Sequence, residues 1–350
     1  MAHRLLLLGT GGIAGHHVEE FAKIPGCTIV ACVDQVPGRG GTFAAANQIS
    51  HSFESLEAAI GWGAFDAAIN ATPDGVHKAT TLALLARGKH VFCEKPLAPN
   101  HADALAMTEA AEAAGVVNMV NLTYRNSPAI HEARRMVQAG EIGALRHVEA
   151  SYKQSWLVSK SWGDWRVEDK WLWRLSNRHG STGVLGDVGI HILDFASYGA
   201  DQDIATLHAD LVTFPKAEGD RIGDYVLDAN DSVAMTARFK SGALATIVAS
   251  RYMTGHTNDL SLAMHGTKGA IKVETDGKVS RMSACLGVDI DQQRWRTLAP
   301  PDVKRNALRF AEALDTGRNG DPSFRRAADM QRLIDAAFES SSARLPVTIA

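Results

Sequence analysis

Over the first 120 positions, apolar residues come in short bursts separated by stretches with helical spacing. The bursts are residues 4–8 (RLLLL), 28–34 (TIVACVD), 66–72 (DAAINAT), 89–94 (KHVFCE) and 116–122. Each is short, bounded by Gly or Pro and apolar throughout, the pattern of a strand covered on both faces. Between them, residues 12–23, 42–48, 74–87 and 101–114 read as helices, with a helical turn at 55–60. Gly88 and Gly115 stand where the longer two should end. Strands alternating with helices predict parallel β-α-β units in an α/β domain.

Near residue 121 the rhythm changes. A helix at 128–139 is followed by a strand pattern at 145–155, an irregular stretch and a helix at about 187–198. From 204 to about 296 strand patterns follow one another, among them 232–239, 243–251, 261–265 and 270–274. Lys240-Ser241-Gly242 and Gly266-Thr267-Lys268-Gly269 serve as turns. Consecutive strands without helices between them predict a large, open, mostly antiparallel sheet, hence an α+β domain. Helices at 302–316 and 324–341 and a strand at 346–349 close the chain. The reading is two domains, 1–120 and 121–350.

Composition narrows the function. The 350 residues are 45% hydrophobic and 21% charged, with net charge −3 and pI near 6.5. A nucleic-acid binder would carry a basic stripe, so a small-molecule partner is expected. No apolar run reaches eighteen residues, so no membrane span is expected. The apolar start is too short for a signal peptide. The four cysteines form no CxxC pair and suit a reducing compartment, the cytoplasm. Five of the seven tryptophans fall within residues 156–173.

Gly9-Thr10-Gly11-Gly12-Ile13-Ala14 fits G-x-G-x-x-G/A between a predicted strand and a predicted helix. Glycines there permit a tight turn and let a pyrophosphate approach the free N–H groups of the helix. Asp34 ends the second strand, twenty residues after Ala14. A carboxylate there accepts from ribose hydroxyls and repels a 2′-phosphate, which favours NAD; Arg39 keeps NADP open.

Two elements can carry catalysis. Lys95 follows a parallel strand in Glu94-Lys95-Pro96, at the strand end where α/β sheets bind ligands. Asp187 and His191 are i and i+4 on a predicted helix, so a carboxylate can orient an imidazole that acts as general base. Taken singly, a lysine after a strand is more often a surface residue, and this Asp and His more often a cap and a core histidine. A metal site at Asp187, His191 and Asp194 lacks a third strong ligand, and no metal is expected.

Taken in order, Gly9-x-Gly11-x-x-Ala14, Thr72-Pro73 with His77, Glu94-Lys95-Pro96 and Gly183-x-x-x-Asp187-x-Gly189-x-His191-x-x-Asp194 resemble the glucose–fructose oxidoreductase / inositol dehydrogenase (Gfo/Idh/MocA) family over essentially the whole chain. The resemblance implies a Rossmann domain of doubly wound parallel sheet, followed by an α+β domain that binds substrate and supports homodimers or homotetramers through its sheet. It implies an NAD(P)-dependent dehydrogenase of a sugar, inositol or related polyol. By the same resemblance His191 takes the proton of a substrate hydroxyl, Lys95 stabilises its oxygen, and Asp187 completes the set. Thr72, Pro73, His77, Glu94 and Lys95 join Gly9, Gly11, Gly12, Ile13 and Asp34 on the cofactor side. Arg125, Tyr152, Trp165, Arg166 and Tyr252 are the substrate candidates, and the tryptophan segment is read as a pocket-lining or subunit-contacting loop. Where the family often has Gly-Gly-Gly before the catalytic aspartate, this chain has Ser181-Thr182-Gly183-Val184-Leu185-Gly186. An NAD-dependent glycosidase or eliminase and a non-catalytic NAD-sensing regulator are the alternatives on the same fold.

Overall fold

The computed structural model describes residues 2–349, and its contacts divide the chain into two units. The first joins Met1–Leu122 to Lys304–Gln331; the second joins Thr123–Val303 to Arg332–Ala350.

The first unit alternates as expected: β1 (His3–Leu8), α1 (Ala14–Ala22), β2 (Cys27–Val33), α2 (Arg39–Ala46), β3 (His51–Phe53), α3 (Leu56–Trp62), β4 (Ala67–Asn70), α4 (His77–Leu85), β5 (His90–Cys93), α5 (His101–Ala114) and β6 (Asn118–Val120). The six strands form one parallel sheet in the order β3-β2-β1-β4-β5-β6. β1 lies between β2 and β4, and its leucines are buried on both faces, which explains the unbroken apolar run. β3 carries no such run, because it is a short, largely exposed edge strand. The boundary expected from chain rhythm needs a correction, since Lys304–Gln331 belongs with the first unit. The reason is packing. Phe310, fully buried, meets Phe21 edge-on at 6.4 Å and Phe92 at 5.3 Å between ring centroids. Periodicity shows that α9 (Asn306–Thr316) has an apolar stripe but not which core receives it.

The second unit contains α6 (Pro128–Gln138), β7 (Leu145–Lys153), α7 (Asp169–Leu172), α8 (Ile190–Gly199), β8 (Ile204–Val212), β9 (Arg221–Ile222), β10 (Tyr225–Val226), β11 (Ser232–Phe239), β12 (Leu244–Ser250), β13 (Asp259–Gly266), β14 (Gly269–Thr275), β15 (Ser280–Leu286), β16 (Arg296–Leu298) and, after α10 (Phe324–Ala343), β17 (Val347–Thr348). Nine strands form a sheet in the order β16-β15-β14-β13-β7-β12-β11-β8-β17. Every neighbouring pair is antiparallel except β7 with β12. Side chains alternate across the sheet. Val148, Ala150 and Tyr152 of β7 and Leu260, Leu262 and Met264 of β13 are buried on one face. Helices α6 and α8 pack against strands of the sheet: α8 on β7 and β13, α6 on β14 and β15.

Two local results add to the sequence reading. The helix expected from residue 187 is preceded by a π-helical turn at Leu185–Gly189, so the α-helix proper begins at Ile190. The tryptophan segment, expected to line a pocket or contact a second subunit, builds a satellite core from four of its five rings. Trp156 and Trp165 are buried with Leu157, Leu172, Leu175 and Leu227, and Trp162 and Trp171 pack against them. Only Trp173 of the five is among the exposed large hydrophobic residues. Among the described residues no helix is long and apolar enough to cross a membrane.

Candidate functional site

In the first unit the glycine loop leaves β1 with Gly9 at φ +90°, in the left-handed region. A Cβ on Gly9 would lie 2.7 Å from the Ala71 carbonyl oxygen, so no other residue fits. A Cβ on Gly11 or Gly12 would meet nothing within 4 Å. Those two glycines are not demanded by packing; they keep the approach to α1 clear. No side chain caps α1, and Ile13 at its start is exposed. An open backbone cradle over uncapped helix N–H groups fits a dinucleotide pyrophosphate.

Asp34 follows β2 and is buried. Its Oδ2 accepts from Thr10 N at 3.0 Å and Thr10 Oγ at 2.5 Å, and its Oδ1 from Val36 N at 3.0 Å. Arg39 reaches Oδ1 at 2.8 Å. Burial opposes ionisation, but Arg39, Thr10 and the Val36 amide outweigh it and lower the pKa to about 2. The carboxylate expected beside a ribose is thus present, fixed to the glycine loop through Thr10.

Glu94, Lys95 and Pro96 form the turn after β5, with a cis Lys95-Pro96 bond. Glu94 Oε1 accepts from Asn121 Nδ2 at 2.8 Å and lies 2.9 Å from His17 Nε2; Oε2 accepts from the Lys95 amide at 3.2 Å. Burial disfavours the charge, but His17, Asn121 and Lys95 outweigh it and hold the pKa at about 2. Thr72 bonds Asn70 Oδ1 through its amide and its hydroxyl. His77, fully buried, places Nε2 2.8 Å from the Thr72 carbonyl oxygen and Nδ1 2.9 Å from that of Pro96. Both ring nitrogens are therefore engaged by backbone, so His77 shapes the loops instead of offering a polar atom to a ligand.

In the second unit Asp187 sits in the π turn and His191 in the first turn of α8. π turns are rare and recur at functional sites. Gly186 is required here: a Cβ would stand 1.7 Å from Thr182 Oγ1. Asp187 Oδ2 accepts from Arg251 Nη2 at 3.1 Å, and Arg251 Nη1 donates to the Arg174 carbonyl oxygen at 3.1 Å. Arg251 is fully buried, with Trp156 beneath its guanidinium at 4.9 Å, while the Asp187 side chain is 32% exposed. His191 is 6% exposed and is walled by Tyr124, edge-on at 5.0 Å and 82°, and by Tyr152 at 6.3 Å.

A closed hydrogen-bond ring fixes those two phenols. Asn258 Nδ2 donates to Tyr124 Oη at 2.6 Å, the two phenol oxygens are 2.6 Å apart, and Tyr152 Oη donates to Asn258 Oδ1 at 2.6 Å. Gln154 Nε2 also donates to Asn258 Oδ1, at 2.9 Å, and Gln154 Oε1 accepts from Trp156 Nε1 at 3.1 Å. Through Gln154 the tryptophan core is tied to the wall of His191. Burial pushes the Tyr124 phenol up to about 12 and Tyr152 well above its ordinary value, so both remain neutral.

The substrate candidates separate. Tyr152 is beside His191, as described. Arg125 is corrected: it is 1% exposed and forks onto Asp194, with Nε at 2.6 Å and Nη2 at 2.8 Å, over the Tyr198 ring at 3.4 Å. It is a buried structural arginine. Trp165 is likewise core, its Nε1 donating to the Leu157 carbonyl. Arg166 is exposed, stacked 4.5 Å over Trp165. Tyr252 is half-buried against Phe214. Among the described residues no group of His, Cys, Asp or Glu could hold a metal. Asn258, Asn121 and His17 went unmentioned in the sequence reading. They match no motif, and only the fold brings them to the groups they hold.

Residues 3–122 match the model of an oxidoreductase family with an NAD-binding Rossmann fold, and residues 130–272 match that of the GFO/IDH/MocA C-terminal domain. The chain belongs to the Gfo/Idh/MocA oxidoreductase family. It is 30% identical to 1,5-anhydro-D-fructose reductase of Ensifer adhaerens over 76% of this chain and 74% of that protein. It is 28% identical to levoglucosan dehydrogenase of Pseudarthrobacter phenanthrenivorans over 65% of this chain and 60% of that protein. A structure of levoglucosan dehydrogenase in complex with NADH superposes with a TM-score of 0.88 over 100% of both chains at 23% identity, which establishes a common fold. The first unit of this Gfo/Idh/MocA member contains an NAD-binding Rossmann domain. Its departure from a triple glycine before Asp187 has a structural counterpart, because Thr182 fills the space against Gly186.

Proposed function

We propose that the chain is an NAD(P)-dependent dehydrogenase that oxidises a hydroxyl of a sugar, inositol or related polyol, or runs the reverse reduction. The reading is carried by the presence in one chain of two built features, an open glycine cradle with a fixed Asp34 in the first unit and a π-turn aspartate with a tyrosine-walled histidine in the second. The names of the similar proteins supply the substrate class, since both are carbohydrate oxidoreductases.

The residues that would hold the dinucleotide are Gly9, Gly11, Gly12 and Ile13 at the pyrophosphate and Asp34 at the ribose, with Thr72, Pro73, Glu94 and Lys95 toward the reacting end. Asp34 favours NAD; Arg39, now on Asp34, is the residue that NADP would recruit. When bound, the nicotinamide supplies a hydride acceptor. His191 takes the hydroxyl proton as general base. Lys95 donates to the same oxygen and offsets its developing charge. Asp187, fixed by Arg251, orients the acid–base pair, and Tyr152 and Tyr124 present neutral phenols beside it. Arg166 and Tyr252 are kept as outer substrate contacts. The outer face of β7, β12 and β13, with Glu149, Ser151, Thr246 and Ala263, is proposed as a contact between copies in a homodimer or homotetramer.

A panel of sugars, anhydrosugars and inositols with NAD and NADP, followed by nicotinamide absorbance, tests the reading. Turnover on at least one polyol is expected, and Lys95→Ala should lower it by about 10²-fold or more. Equal rates for wild type and Lys95→Ala on the best substrate refute the assigned mechanism. A glycoside hydrolysed without accumulation of reduced nicotinamide replaces it with a hydrolase.

A further inference from the structure

We infer that His77 is a buried imidazolium that staples the Thr72 turn to the Lys95-Pro96 turn and thereby acts as a positioning residue for Lys95. The argument is one of donors and acceptors. The ring is fully buried, and its two nitrogens lie 2.8 and 2.9 Å from the carbonyl oxygens of Thr72 and Pro96. A backbone carbonyl only accepts. Both nitrogens must therefore carry hydrogen, and a ring with two N–H groups is charged. A neutral histidine satisfies one carbonyl and turns a lone pair toward the other, in a place closed to bulk solvent.

The surroundings support the charge. Cys93 on β5 and Asp74 in the turn before α4 face the ring and favour its charged form. Lys78, the next residue along α4, turns away to Asp103 at 2.5 Å and so does not oppose it. Burial works against the cation, yet Cys93, Asp74 and the Pro96 carbonyl prevail and raise the pKa to about 10. The two carbonyls belong to the loops that leave neighbouring parallel strands, β4 and β5. One side chain thus fixes the distance between the Thr72 turn and the residue after Lys95. A cation is suited to this work, because hydrogen bonds from a charged donor are about twice as strong as neutral ones.

The role given to Lys95 rests on the proposed dehydrogenase reading; the charge of His77 does not. The test therefore has two arms. In the first, full-length protein labelled with ¹⁵N-histidine is examined by long-range ¹H–¹⁵N spectroscopy at pH 8.5. One histidine should show two protonated ring nitrogens, persist in His17→Gln and vanish in His77→Gln. If His77→Gln does not fold, the wild-type and His17→Gln spectra decide alone. Absence of any doubly protonated histidine at that pH overturns the inference. In the second arm, His77→Gln should lower kcat on the best polyol about tenfold with its KM changed less than about twofold, the signature of a misplaced transition-state donor. Wild-type kcat in His77→Gln overturns the positioning role, while the dehydrogenase reading stands on the wild-type turnover.

Discussion

The second unit holds two arginine–aspartate pairs that solve the same problem differently. Arg125 and Asp194 are 1% and 3% exposed, joined by two parallel bonds, with the guanidinium 3.4 Å over Tyr198. Arg251 is equally buried, but it gives Asp187 a single bond at 3.1 Å and spends another nitrogen on the Arg174 carbonyl, and its aspartate is 32% exposed. Both arginines need partners to offset desolvation. The first pair takes the whole carboxylate for that purpose. The second takes part of it and leaves a face of Asp187 in contact with solvent. Seven residues apart in sequence, one aspartate holds the fold and the other is open to chemistry.

The largest effect is expected from breaking the closed pair. Arg125→Leu leaves Asp194 buried without its counter-charge and should lower the unfolding free energy, read by denaturant titration, by about 3–5 kcal/mol. Replacing both residues by leucine should recover much of that. A single variant as stable as wild type would mean that the pair carries no structural weight. Asp187→Asn makes the opposite prediction. It should lower kcat/KM by about 10²–10³-fold, roughly 3–4 kcal/mol at the transition state, with a far smaller shift of the unfolding midpoint. A stability loss matching that of Arg125→Leu would erase the distinction.

The two pairs also show what can be read from a chain. Asp187, His191 and Asp194 stand within eight residues, and their motif marked them as candidates for the chemistry. Nothing in that stretch says that Asp194 turns to Arg125, because the partner is 69 residues away and chosen by packing. Alternation and glycine spacing carried the parallel sheet, the antiparallel-rich sheet and the loop at Gly9, where local sterics decide the structure. They missed β3, which has too little apolar surface, and could not assign α9 to the first unit. That four of the five clustered tryptophans share one small core was not legible, because composition records ring content and not which ring faces which. Asn258 was invisible for the same reason, since an amide in a loop has no pattern until two phenols close on it.

Glu94 extends the comparison to the first unit, where a buried carboxylate is held by an imidazole and an amide instead of an arginine. Its pKa in the folded chain is about 2 against an ordinary 4.5. The sign follows from linkage: the contribution is present above about pH 4.5 and is lost as pH falls through about 2. Glu94→Gln should cost about 2–3 kcal/mol at pH 7 and flatten stability between those two pH values. Unfolding curves that fall as steeply in the variant would assign acid sensitivity to other carboxylates.

Arg→Lys at the two arginines gives the finest test. At position 251 a lysine keeps the charge but, as a point donor, cannot serve both Asp187 and the Arg174 carbonyl or lie flat over Trp156. The loss of orientation should appear as about a tenfold fall in kcat, near 1.4 kcal/mol, with KM little changed. At position 125 the same change removes the fork to Asp194 and the stacking on Tyr198, and the effect should appear in the unfolding midpoint while kcat per folded molecule holds. If Arg251→Lys retains wild-type kcat and loses only stability, then Arg251 is a second structural arginine.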